Sequence, residues 1–150
     1  MLNVGIDKIK KLNLAQKISM QKGDAENLPF EDNKFDAVSV AFGVRNFENL
    51  EKGLAELRRV VKENSSVYIL EFSKVEGFLA PFYMFYFKNI LPQIGKLVSK
   101  DNRAYTYLPD SVNAFPFGEK MKQILLDTGY SKVEYKKLSL GIATIYKATK

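Results

Sequence analysis

The side chains able to do chemistry in this chain are few in kind. Neither His nor Cys occurs among its 150 residues. That excludes a Ser-His-Asp triad, an imidazole base, thiolate catalysis, disulfides and Cys- or His-based metal sites. Proton transfer is left to carboxylate, Lys, Tyr, Arg or water. Within that short list, three places set a chemically able residue at the end of a predicted element. Gly23-Asp24 closes a short alternating strand predicted over residues 17–21, and reads either as a ligand-facing carboxylate or as a turn. Ala41, Phe42 and Gly43 lie at the carboxyl end of an apolar strand, where open α/β sheets place their ligands, and Arg45 and Asn46 follow directly. Glu71 ends a second strand near the same face, as a carboxylate base or a helix-capping partner.

Those positions depend on elements that the hydrophobic pattern predicts. Residues 3–14 read as a helix with Val4, Ile6, Ile9, Leu12 and Leu14 apolar and no N-cap residue. Residues 35–42 form a near-continuous apolar strand, the kind that parallel sheets cover on both faces. Asn49 caps a helix whose stripe is Leu50, Leu54, Leu57 and Val61. Glu63-Asn64-Ser65 turns the chain into a second buried strand over 67–72. A helix at 118–127 stops at Gly129, and strands at 133–138 and 141–148 join through Ser139-Leu140-Gly141. Strands alternating with helices and ending in an antiparallel pair predict a single α/β domain over 1–150.

Composition narrows the partners. Apolar types reach 46%, enough for a core, and the net charge of +6 favours an anionic cofactor, an anionic membrane surface or nucleic acid. The Lys residues are scattered and the aromatics do not interleave with them, which argues against nucleic acid. No stretch reaches the roughly 20 apolar residues of a membrane span, and the start lacks the layout of a secretory signal. The expected location is therefore the cytoplasm. Residues 77–98 are unusual, because Phe78, Phe82, Tyr83, Phe85, Tyr86 and Phe87 crowd into their first part, with Lys88 and Lys96 alongside. They read as a core-capping helix pair, or as the wall of a site for a large apolar substrate that touches a membrane surface.

Gly23-Asp24-Ala25-Glu26-Asn27-Leu28-Pro29-Phe30, followed by Phe35-Asp36-Ala37-Val38, resembles the adenine-side segment of class I S-adenosylmethionine-dependent methyltransferases. Ala41-Phe42-Gly43-Val44-Arg45-Asn46, Glu71-Phe72-Ser73-Lys74, Leu91-Pro92-Gln93-Ile94-Gly95 and residues 105–112 then follow in the order seen in the ubiquinone/menaquinone biosynthesis C-methyltransferases. The resemblance covers essentially the whole chain. It implies a Rossmann-like sheet with helices on both faces, a C-terminal antiparallel pair and a substrate-side insert at about 77–116. The family's opening strand, Gly-rich loop and second strand have no counterpart here, and Met1-Leu2-Asn3-Val4-Gly5 resembles an internal family segment. Met1 is therefore expected to be an internal residue of a longer protein. Ala41 stands where relatives often carry Ser, and Glu63-Asn64-Ser65 where Pro-Gly is common.

The resemblance implies S-adenosyl-L-methionine as methyl donor, no metal, and a prenylated quinol as acceptor. Asp24 would accept from the adenine amino group while the Ala25 N–H donates to the ring, with Ala41, Phe42 and Gly43 completing the cofactor side. Arg45, Asn46 and Tyr107 are the expected catalytic residues. Methylation of a ring carbon needs a phenolate-like oxygen, which a guanidinium stabilises; the alternative for Arg45 is a salt bridge to a helix carboxylate such as Glu48. Phe82, Phe85, Tyr105 and Ser111 are the expected substrate contacts. A homodimer and peripheral contact with the inner face of the membrane are further expectations. The competing reading is a non-catalytic fragment or paralogue that binds an apolar ligand or partner.

Overall fold

The computed structural model describes residues 2–78, 80–85, 89 and 111–150, with the backbone alone at 82–84. Its elements are helix α1 (Leu2–Lys11), strand β1 (Phe35–Ala41), a 3-10 turn (Val44–Asn46), helix α2 (Leu50–Val60), strand β2 (Val61–Phe72), helix α3 (Ala80–Phe85), helix α4 (Glu119–Asp127), strand β3 (Lys132–Leu138), a 3-10 turn (Ser139–Gly141) and strand β4 (Ala143–Thr149). The four strands form one sheet in the order β1-β2-β4-β3. β1 and β2 are parallel, and β4 is antiparallel to both β2 and β3.

A parallel pair needs a crossover, and α2 supplies it. Asn49 starts that helix, its side chain accepting from Lys52 N at 3.0 Å. Of the stripe predicted for α2, Leu54 and Leu57 are buried and Leu50 is half-buried, whereas Val61 lies beyond the helix, where it opens β2 with no exposure, and Val60 is the buried residue of the last turn. Leu54, Leu57 and Val61 meet Val67 and Ile69 of β2, Tyr146 and Ala148 of β4, and Met121 and Leu125 of α4 in one apolar core. Each such side chain contributes roughly 1.5–3 kcal/mol by leaving water. Two long bonds dock the C-terminal segment on α2: Tyr130 Oη donates to Leu54 O at 3.1 Å, and Arg58 Nε donates to Gly129 O at 2.9 Å.

Several expectations need correction. Residues 17–21 form no strand; they lie in an exposed turn and coil with no described strand beside them to complete a ladder. β1 has the expected parallel partner but not the expected double covering. Ala37, Ser39 and Ala41, which share one face of the strand, are exposed, and among the described residues β1 pairs along one edge only. Glu63-Asn64-Ser65 does not separate two elements. It is a bulge inside β2, where the register jumps from Phe35↔Val61 to Ala37↔Ser66 and Asn64 takes a left-handed φ of 60°. The first helix ends at Lys11 rather than at residue 14, and Asn13 at φ 54° turns the chain out.

Lys150 ties the end of the chain to its middle. Its ammonium, on a side chain only 7% exposed, reaches Asn33 Oδ1 at 2.6 Å, Val61 O at 3.1 Å and Glu63 Oε1 at 3.2 Å. The bulge, the crossover helix and the β1 entry are thereby fixed to one another.

Candidate cofactor and acceptor site

The carboxyl ends of β1 and β2 lie side by side, with Ala41 opposite Leu70. Beyond them a cleft of about 490 Å³ opens between the loop at 23–26 and the turn after β1. Four of the predicted residues line it together: Asp24, Ala25, Gly43 and Asn46. Asp24 makes the turn and also stands on the cleft wall. Its Oδ1 accepts from Glu26 N at 2.9 Å, which makes the turn, while Oδ2 has no partner among the described residues. The Ala25 N–H likewise makes no hydrogen bond among them. One free acceptor and one free donor, adjacent in sequence and on the wall of a cleft, are what the edge of an adenine requires.

The loop is held by contacts that sequence reasoning missed. Glu26 Oε1 accepts from Asn49 N at 2.7 Å, and Glu56 Oε2 accepts from Leu28 N at 2.8 Å. Arg59 donates to the carbonyls of Phe30 and Leu28 at 2.8 and 3.0 Å while pairing with Glu56 and Asp32. Those bonds hold the Glu56 carboxyl below its ordinary value, Arg59 first and the Leu28 N–H after it. The signal was present as a Glu and an Arg three apart on α2, but their target, an irregular loop, has no periodicity to read.

Ala41, Phe42 and Arg45 do not line the cleft. Ala41 stays in the strand ladder, and the Phe42 ring lies on Phe72 with centroids 4.5 Å apart. Phe42 adopts φ 54°, a left-handed turn that costs a non-glycine residue of order 1 kcal/mol. That turn presents the Phe42 carbonyl to Arg45, whose Nη1 donates to it at 2.6 Å and to Glu71 Oε1 at 2.7 Å. Glu71, not Glu48, is thus the partner of Arg45. The pair is enclosed, with side chains 11% and 1% exposed. Arg45 Nε is buried and finds no acceptor among the described residues.

Of the expected substrate contacts, Phe85 is exposed at the end of α3, and Ser111 opens a helical turn at 111–114. Neither lines the cleft, nor a second cavity of about 690 Å³ between the segment after β2 and residues 113–117. Tyr105, Tyr107, the Phe82 side chain and the segment Leu91-Pro92-Gln93-Ile94-Gly95 lie outside the described residues.

The fold is that of the S-adenosylmethionine-dependent methyltransferases. The [4+2]-cyclase SpnF superposes with a TM-score of 0.72 at 14% identity, over 99% of this chain and 62% of its own. A phosphoethanolamine N-methyltransferase of Haemonchus contortus, solved with S-adenosyl-L-methionine, gives 0.69 at 14% identity over the whole of this chain and 41% of its own. At these identities the likeness speaks for architecture alone. The family model of the ubiE/COQ5 methyltransferases matches residues 1–150, and the chain belongs to that family. A demethylmenaquinone methyltransferase of Bacteroides fragilis is 48% identical over the whole of this chain and 62% of its own length. A ubiquinone/menaquinone biosynthesis C-methyltransferase of Chromobacterium violaceum is 45% identical, again over this whole chain and 61% of its own. The chain thus spans about three-fifths of the length of these curated relatives.

Proposed function

We propose that this chain serves S-adenosylmethionine-dependent C-methylation of a prenylated quinol, converting demethylmenaquinol to menaquinol or carrying out the equivalent step on a ubiquinol precursor. The observation that carries the proposal is the family match over every residue of the chain, joined to a cleft whose free Asp24 oxygen and free Ala25 N–H suit adenine. The bound sulfonium supplies an electrophilic methyl group. In this reading Asp24 and Ala25 fix the base, and Gly43 admits the cofactor close to the backbone at the strand end. Arg45 Nε donates to the quinol oxygen para or ortho to the methylated carbon, favouring the electron-rich, phenolate-like ring that attacks. The guanidinium holds charge on that oxygen, and the transfer releases S-adenosylhomocysteine as leaving group and a proton to water.

The menaquinone branch is favoured because the Bacteroides relative is named for demethylmenaquinone. A prenylated quinol resides in lipid, so the reading includes peripheral contact of the cytoplasmic protein with a membrane. Phe78, Phe85 and Leu140 expose 84%, 62% and 80% of their surface, and among the described residues no helix is long and apolar enough to cross a membrane. The direct test is incubation with methyl-labelled S-adenosylmethionine and a short-tailed demethylmenaquinol. Label in the naphthoquinol ring is the expected result; cofactor binding with no label in any quinol would overturn the proposal.

A further inference from the structure

We infer that Glu71 is a positioning residue: it fixes the Arg45 guanidinium by its Nη1 edge and leaves Nε as the donor for a phenolic oxygen of the acceptor. The inference rests on the reading of this end of the sheet as a methyl-transfer site. Glu71 spends both carboxylate oxygens on the protein. Oε1 accepts from Arg45 Nη1 at 2.7 Å and from Phe72 N at 2.9 Å, and Oε2 accepts from the Arg45 backbone N at 3.3 Å. One carboxylate therefore sets where residue 45 sits and also where its side chain points. Phe42 O takes the same Nη1 at 2.6 Å, and the Phe72 ring flanks the guanidinium with its carbon 5.5 Å from the centroid.

Buried at 1% exposure and fully engaged, Glu71 is not placed to act as the base. What remains unsatisfied is Arg45 Nε, and a buried donor left unpaired is costly unless something binds there. The pair as a whole carries no net charge. It therefore suits an oxygen that gains partial negative charge during the reaction better than a full anion such as phosphate, which Glu71 would repel. A phenolic or enolic oxygen is the class that fits.

The test uses the full chain labelled with nitrogen-15. The Arg45 Nε–H resonance is identified by its loss in Arg45→Lys, and folding of each variant is checked by circular dichroism. In the wild type, slow guanidinium rotation is expected, together with a shift of Nε–H on adding a short-tailed demethylmenaquinol but not on adding inorganic phosphate. Glu71→Gln, the isosteric variant, should weaken that restraint, and Glu71→Ala should abolish it. In the methyl-transfer assay, kcat should fall roughly tenfold in the first and about a hundredfold in the second, in the range seen when one preorganised donor is disturbed. KM and the cofactor Kd should move less than about threefold. Unchanged Arg45 signals in folded Glu71→Gln, or wild-type kcat in both variants while the wild type methylates quinol, would overturn the inference and leave the proposed function standing. A quinol-dependent Nε–H shift lost in Glu71→Gln, in a wild type that methylates no quinol, would do the reverse.

Discussion

At Asp24 the difference between a turn residue and a binding residue comes down to one oxygen. Spacing left both readings of its Gly-Asp open; the structure gives Oδ1 to the turn, and Oδ2 has no partner among the described residues. Arg45 was legible as a candidate, but its partner was not. The sequence offers Glu48 three residues on, whereas the true partner stands 26 residues away and is chosen by the parallel register of β1 and β2. Tyr146 was read only as a strand residue. Its hydroxyl accepts from Gly118 N at 2.7 Å and so holds the start of α4. Burial pushes its pKa up to about 12, against an opposing pull from the Gly118 N–H. Its folded pKa thus lies above its unfolded one near 10. The stabilisation is complete below pH 10 and lost as pH rises through 12. Tyr146→Phe should cost about 1–3 kcal/mol at pH 7 by stranding the Gly118 N–H. In urea titrations at pH 7 and 11 the variant should lose less stability between the two than the wild type.

Elements with their own periodicity were readable, and those that depend on a neighbour were not. The cap of α2, its stripe as far as Leu57, the stop at Gly129 and the β3–β4 hairpin stand where local pattern puts them. The strand expected at 17–21 fails because alternation alone makes no ladder without a partner. The covering expected for β1 fails because apolar content reports a tendency to be buried, not what lies alongside. Gly53 in α2 shows how an element and the site are joined. A Cβ there would run into the Phe47 ring, which lines the 490 Å³ cleft. Helix propensity favours Gly53→Ala by about 1 kcal/mol, but displacing a packed ring costs typically 1–3 kcal/mol. The variant should be less stable by about 1 kcal/mol in urea unfolding. A gain in stability would show that Phe47 moves freely.

Taken as a molecule, the described residues form a four-stranded sheet, with the residues of the proposed site at the carboxyl ends of β1 and β2. The fold class was legible because strands and helices alternate, and the family because its motifs keep their order along the chain. The gathering itself was not legible, since Asp24 and Gly43 come to one cleft only through the crossover and the Arg59 loop contacts, and Glu71 reaches Arg45 only through the register of β1 and β2. Exposed Phe78, Phe85 and Leu140 on a chain of net charge +6 make a molecular-scale prediction. The chain should co-sediment with vesicles containing phosphatidylglycerol, less with pure phosphatidylcholine, and Leu140→Ser should weaken the association. Failure to sediment with either would remove membrane contact from the account.

The central claim, that the cleft between the 23–26 loop and the β1 exit holds the nucleoside of the methyl donor, is tested most directly by calorimetric titration of S-adenosylhomocysteine into the full chain and into Asp24→Ala. The account predicts a Kd on the order of 10 μM for the wild type, about −7 kcal/mol. It also predicts at least roughly tenfold weaker binding for the variant, the loss of about 1.4 kcal/mol that one charge-assisted hydrogen bond supplies. No heat from the wild type, or equal affinity in the two proteins, would contradict it.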